Sequence, residues 1–124
     1  MSRLSTRLRK LDDGRISFWC PGCDEAHVIR VESRDHPVWT WNGDVDAPTF
    51  SPSILVTGTR ITAKGEADYQ AWMAAGYPDR KGEMLDNEPV VCHSFVNQGR
   101  IEFLRDCTHH LAGQTVDLPD WRDE

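Results

Sequence analysis

Ser17 to His27 reads SFWCPGCDEAH. Cys20 and Cys23 enclose Pro21 and Gly22, and a histidine follows at position 27. Proline and glycine make the chain turn tightly, so both thiols point at one place. Such a pair is half of a metal grip, a redox pair or part of a disulfide framework. A redox C-x-x-C opens a helix after a strand in a βαβ setting. Here both flanks are strand-like: Ile16 and Phe18 alternate before the turn, and Val28, Ile29 and Val31 supply β-branched residues after it. The stretch therefore reads as two strands joined by a zinc knuckle.

The neighbouring segments extend this pattern. TRLRKLDDGRISFWC is a hairpin turned at Asp13-Gly14. Trp39 and Trp41 are two apart and share a strand face, and Asn42-Gly43 is a further turn signal. Pro48 and Pro52 precede an apolar run from Ile54 to Val56, as at an irregular or edge strand. Tyr69, Trp72 and Met73 have helical spacing, and Gly76 and Pro78 stop the helix. DRKGEMLDNEP, 79–89, reads as a polar loop. VVCHSFVNQGRIEFL is a second hairpin, with Val91, His93 and Phe95 on one face and Cys92, Ser94 and Val96 on the other. A single helical turn is expected near THHLAG. The expected fold class is β-rich α+β: antiparallel β-hairpins with a zinc-knuckle, zinc-ribbon-like staple and one short helix, in a single domain over 1–124.

Bulk composition narrows the function classes. The net charge is −6, which argues against nonspecific nucleic-acid binding, since that rests on Lys and Arg. Arg3, Arg7, Arg9 and Lys10 crowd the N-terminus, while the tail DLPDWRDE is acidic; the basic cluster reads as a solvated strand face. No apolar run approaches the ~20 residues needed to cross a bilayer, and the N-terminus lacks a secretion signal. The expected location is the cytoplasm, where thiols stay reduced. That sets aside a disulfide reading of Cys20, Cys23, Cys92 and Cys107.

A structural zinc site takes four Cys or His ligands, commonly as two local pairs. The second pair has to come from CHSFV and DCTHH, where Cys92, His93, Cys107, His109 and His110 are the candidates. Cys92 is the natural soft ligand, and His109 lies just past the hairpin. The expected zinc set is Cys20, Cys23, Cys92 and His109. His93 is the alternative ligand, but it faces away from Cys92 unless the strand bulges. Cys107 and His27 stay open; Cys107 also reads as a small buried hydrophobe, and His110 as a surface residue. Four protein ligands, mostly thiolates, make a closed and structural site rather than a catalytic one. Ser51 to Ser53, SPS, reads as a turn, and there is no nucleophile elbow and no phosphate-cradling glycine loop. The reading leans away from an enzyme and assigns no catalytic residue. The alternative is a metal-dependent hydrolase or nuclease with His93, Asp106 and His109 around an open metal.

FWCPGC, WTWNGD, PTFSPSILV, CHSFV, GRIEFL and DCTHHLAGQTVDLPDW together resemble a family of small proteins encoded by tailed phages and prophages of Gram-negative bacteria, sometimes labelled ammonia monooxygenase. The likeness runs from about Ile16 to Trp121 and omits the helical middle between Arg60 and Glu88. It implies a phage accessory protein with a zinc site, and it matches Cys20, Cys23, Cys92, His93 and His109 to the family's Cys/His motifs. It also implies that serine can stand in the place of Cys107, which sets that thiol apart from the ligands. The ammonia monooxygenase label finds no support, since that activity belongs to a membrane-embedded metalloenzyme. On this resemblance the chain is expected to be a protein-binding module in the host-cell cytoplasm, docking on a host or phage protein and modulating a host factor or defence system. Trp39 and Trp41 would be its anchors, unless they fill the core. The sequence names no partner and no oligomeric state.

Overall fold

Asn97 and Arg100 are paired, and the two residues between them have positive φ, 49° at Gln98 and 78° at Gly99. This is the mirror-image turn that matches the twist of two antiparallel strands, and glycine takes its second position without steric cost. Reversals of this kind build two antiparallel sheets, described in a computed structural model over residues 1–78 and 85–122. The first sheet holds β1 (Ser2–Arg3), β2 (Leu8–Leu11), β3 (Arg15–Cys20) and β4 (Glu25–Arg30) in the order β1-β2-β3-β4. The second holds β5 (Thr40–Trp41), β6 (Phe50–Ile61), β7 (Asn87–Asn97), β8 (Arg100–Phe103) and β9 (Thr115–Asp117) in the order β5-β6-β7-β8-β9. The one helix among the described residues is α1 (Ala63–Ala74).

The chain forms two compact units, Met1–Val56 with Val91–Glu124, and Thr57–Val90. In the first, alternation sends every second side chain into a shared core. Ile16, Phe18 and Cys20 of β3 enter it from one sheet, and Phe50 and Ile54 of β6, Cys92 and Val96 of β7, and Ile101 and Phe103 of β8 from the other. Phe18 stacks on Phe50 with ring centres 6.1 Å apart. Trp39 and Trp41 are half-buried and pack against this core, Trp41 stacked on Phe50. In the second unit the helix starts well before Tyr69 because Thr62 caps it, its side chain accepting from the Gly65 N–H.

Three segments differ from the sequence reading. Ser51 to Ser53 is not a turn but lies inside β6, with a cis peptide bond between Ser51 and Pro52. Near THHLAG the chain makes successive turns rather than a helical one, with the Ala112 N–H bonded to the His109 carbonyl. Residues 79–84 of the expected polar loop lie outside the described residues, and Asn87 already opens β7.

Candidate metal centre and Ser–His–Asp site

β7 carries two sites on its two faces. Cys92 points into the core and is 1 % exposed, whereas His93, one residue on, points outward. The inward side chain meets the tip of the β3–β4 hairpin. There the Cys-Pro-Gly-Cys turn is closed by an Asp24 N–H to Cys20 carbonyl bond of 2.8 Å, and the Cys23 N–H donates to Cys20 Sγ at 3.4 Å. His109 approaches the same turn from beyond β8. Its imidazole lies where a side chain on residue 22 would stand, so only glycine fits there. The ligand atoms of Cys20, Cys23, Cys92 and His109 all lie within 4.8 Å of one another and could hold a metal ion.

The chemistry of this cluster fits a cation. Cys20 and Cys92 Sγ are 3.8 Å apart. A tetrahedron with metal–sulfur bonds of about 2.3 Å has edges of about 3.8 Å. His109 Nε2 is buried with no hydrogen-bond partner among the described residues, while its Nδ1 lies 3.2 Å from the Leu111 amide nitrogen. The hydrogen bond from the Cys92 thiol holds the Cys20 thiol down at about 4, with His27 adding to the effect. Burial, and then the charge of Cys20, push Cys23 up to about 12. Cys92 is raised as well, first by its hydrogen bond to Cys20 and then by burial. Burial lowers the His109 imidazole below its usual range, which favours the neutral form that ligates metals. The pocket thus holds one thiolate with two neighbouring thiols that resist losing a second and third proton. A cation removes that resistance.

The outward side chain of β7 meets different partners. His93 Nε2 is 3.0 Å from Ser53 Oγ on β6, and His93 Nδ1 is 3.1 Å from Asp106 Oδ2 beyond β8. A hydroxyl, an imidazole and a carboxylate are thus in line, each within hydrogen-bond reach of the next. Asp106 is 56 % exposed, so the contact is worth at most about 1 kcal/mol to stability. Its consequence is orientation of the ring. Cys107 braces the same place from the backbone: the His93 N–H donates to Cys107 Sγ at 3.2 Å, and the thiol donates back to the His93 carbonyl at 3.2 Å. That carbonyl also accepts from the Leu104 N–H at 2.9 Å.

The other residues singled out from sequence fall as follows. His93 stands apart from the thiols, because β7 keeps its regular alternation. Cys107 is buried against His93. His27 is buried beside Cys20 but outside the group of four, and His110 is exposed. His93, Asp106 and His109 do not gather at one point, since His109 sits with the thiols. Ser53 is the residue that sequence reading missed. The signal was present in its neighbour: Ile54 belongs to the apolar run, so alternation sends Ser53 to the outer face, as it does His93 beside Cys92.

The sequence model of the family described as "Bacterial ubiquitination-like system serine protease (BubE)" matches residues 3–104, and the chain belongs to that family. The phage family and the ammonia monooxygenase label have no counterpart in this match. No curated protein and no solved structure matches the chain. Among the described residues, no helix is long and apolar enough to cross a membrane.

Proposed function

We propose that this member of the BubE family is a serine protease whose nucleophile is Ser53, whose general base is His93 and whose orienting carboxylate is Asp106. The observation that carries the reading is the pair of contacts made by the His93 ring, 3.0 Å to Ser53 and 3.1 Å to Asp106. The order Ser, His, Asp along the chain is no obstacle, since such triads are defined by geometry and roles. His93 Nε2 takes the hydroxyl proton as Ser53 Oγ attacks the scissile carbonyl. The imidazolium then gives that proton to the leaving amine, and the acyl group remains on Ser53 as an ester. A water molecule, deprotonated by His93, attacks the ester, and the proton returns to Ser53 Oγ. Asp106 accepts the Nδ1–H and holds the ring in the tautomer that leaves Nε2 free. The family description points to a protein substrate within a bacterial ubiquitination-like system.

Cys20, Cys23, Cys92 and His109 are the residues that would hold a zinc ion. With four protein ligands its role there is structural: it would tie the β3–β4 turn to β7 and leave the hydrolysis to the opposite face of that strand.

An alkyl fluorophosphonate, which reacts with activated serines, tests the reading. It should label the native chain on Ser53 and fail on Ser53→Ala and His93→Ala. Labelling of Ser53→Ala at the native rate would refute the assignment. Elemental analysis should return one zinc per chain, and none after Cys20→Ser with Cys92→Ser.

A further inference from the structure

Pairing between β5 and β6 ends two residues before Ser53. β5 is two residues long and covers only Phe50 and Ser51 of β6. Beyond Ser51, no described strand lies on that side of β6. The backbone there has a definite direction. The Thr49 carbonyl accepts from the Asn42 N–H across this edge, and the Ser53 carbonyl accepts from Trp39 Nε1 at 3.2 Å on the same side. In an antiparallel strand the N–H and C=O of one residue point to the same side, and residues two apart repeat that direction. Leu55 therefore turns its N–H and C=O outward, where no described strand pairs with them. Its side chain is 58 % exposed on the face that bears Ser53, and Phe95, 41 % exposed, shares that face of the sheet beside His93.

We infer that the free edge at Leu55 is the substrate-binding strand. An extended peptide adds there antiparallel to β6, pairing its backbone with the N–H and C=O of Leu55 and covering Leu55 with an apolar side chain. This rests on Ser53 being the nucleophile. The direction of pairing fixes which part of the substrate is held. β6 runs from Ser53 to Leu55, so an antiparallel peptide runs from Leu55 towards Ser53. The residues that pair lie on the N-terminal, acyl side of the scissile bond, and the carbonyl to be attacked arrives at Ser53 Oγ. The substrate segment is thus extended, with an apolar side chain on the acyl side of the scissile bond. Trp39, bonded to the Ser53 carbonyl, closes the edge next to β5 and marks where the peptide strand must end.

The test compares two reagents on the purified full chain. An alkyl fluorophosphonate has no peptide and reports the nucleophile alone. N-acetyl tripeptidyl diphenyl phosphonates built from alanine and one leucine report the edge as well. The peptidyl reagents should inactivate the chain at least about tenfold faster than the same phosphonate without the peptide, the worth of about one backbone hydrogen bond. N-methylation of the amide that pairs with Leu55 should remove that advantage, while N-methylation of a flanking amide should not. Leu55→Pro, which removes the outward N–H at an edge position where proline is tolerated, should react with the peptidyl and the peptide-free phosphonates at equal rates. Intact fluorophosphonate labelling without any peptide advantage, or an N-methyl scan that is flat, overturns the inference alone. Absence of fluorophosphonate labelling on Ser53 overturns the nucleophile and the inference with it. If Leu55→Pro also loses fluorophosphonate labelling, the N-methyl series on the native chain decides.

Discussion

At the scale of single residues, two positions carry the two sites. A methyl group on residue 22 would stand closer to His109 Cε1 and Nε2 than van der Waals contact allows, so the ring must shift away from the Cys-Pro-Gly-Cys turn. Gly22→Ala should lose the metal on dialysis while the native chain keeps it, as elemental analysis would register. Cys107 makes both of its hydrogen bonds to the backbone of His93. Serine can donate and accept in the same way; valine can do neither and leaves the His93 N–H unpaired, at a cost of about 1–3 kcal/mol. Cys107→Ser should label with fluorophosphonate within a few-fold of the native rate. Cys107→Val should be slower by more than about tenfold, because the ring that activates Ser53 loses its brace. Equal rates for the two variants would remove Cys107 from the positioning of His93.

At the scale of elements, β7 is the shared support, since consecutive residues serve a buried thiol cluster and an outward triad. Period-two alternation made the opposition of Cys92 and His93 legible in the sequence, and the turns at Asp13-Gly14 and Asn97–Arg100 made both hairpins legible. The partner of His93 was not legible. Ser53 directly follows the Ser51–Pro52 step, so its local chemistry reads as a turn. Its contact with His93 spans 40 residues of chain, and only sheet pairing reveals it. Because one strand serves both faces, removing the metal should be felt at the triad. Hydrogen exchange after chelation should speed up at Cys20–Cys23 and at Val91–Ser94 together, and fluorophosphonate labelling should slow. Faster exchange confined to the Cys-Pro-Gly-Cys turn would show that β7 does not depend on the metal for its order.

At the scale of the whole molecule, metal affinity and stability depend on pH with a definite sign. Cys23 and Cys92 have raised pKa values, so both carry protons at neutral pH in the metal-free chain. Coordination must displace those protons, so affinity rises with pH and falls on acidification. Burial lowers His109 in the folded chain, so the unfolded chain takes up that proton more readily, and acid favours unfolding through this group as well. Chelation at neutral pH should lower the melting midpoint by at least about 8 °C, equivalent to about 2 kcal/mol for a chain of this size. The drop should shrink as the pH of the metal-loaded sample is lowered towards the point where the ion is already lost. A melting curve unmoved by chelation would contradict a structural role for the metal.

The back-to-back use of β7 also restricts how such a chain can change in length. Adding or deleting one residue between Pro89 and His93 would swap the faces, turning a thiol outward and an imidazole into the hydrocarbon interior. Ser53 and Ile54 impose the same rule on β6. The span from Thr62 to Asp86, between the two strands, is under no such parity rule, because its ends are joined directly by the Thr62 N–H to Asp86 carbonyl bond. Among relatives of this chain, insertions and deletions should collect in that span, while the strand segments that bear the two sites keep a fixed count.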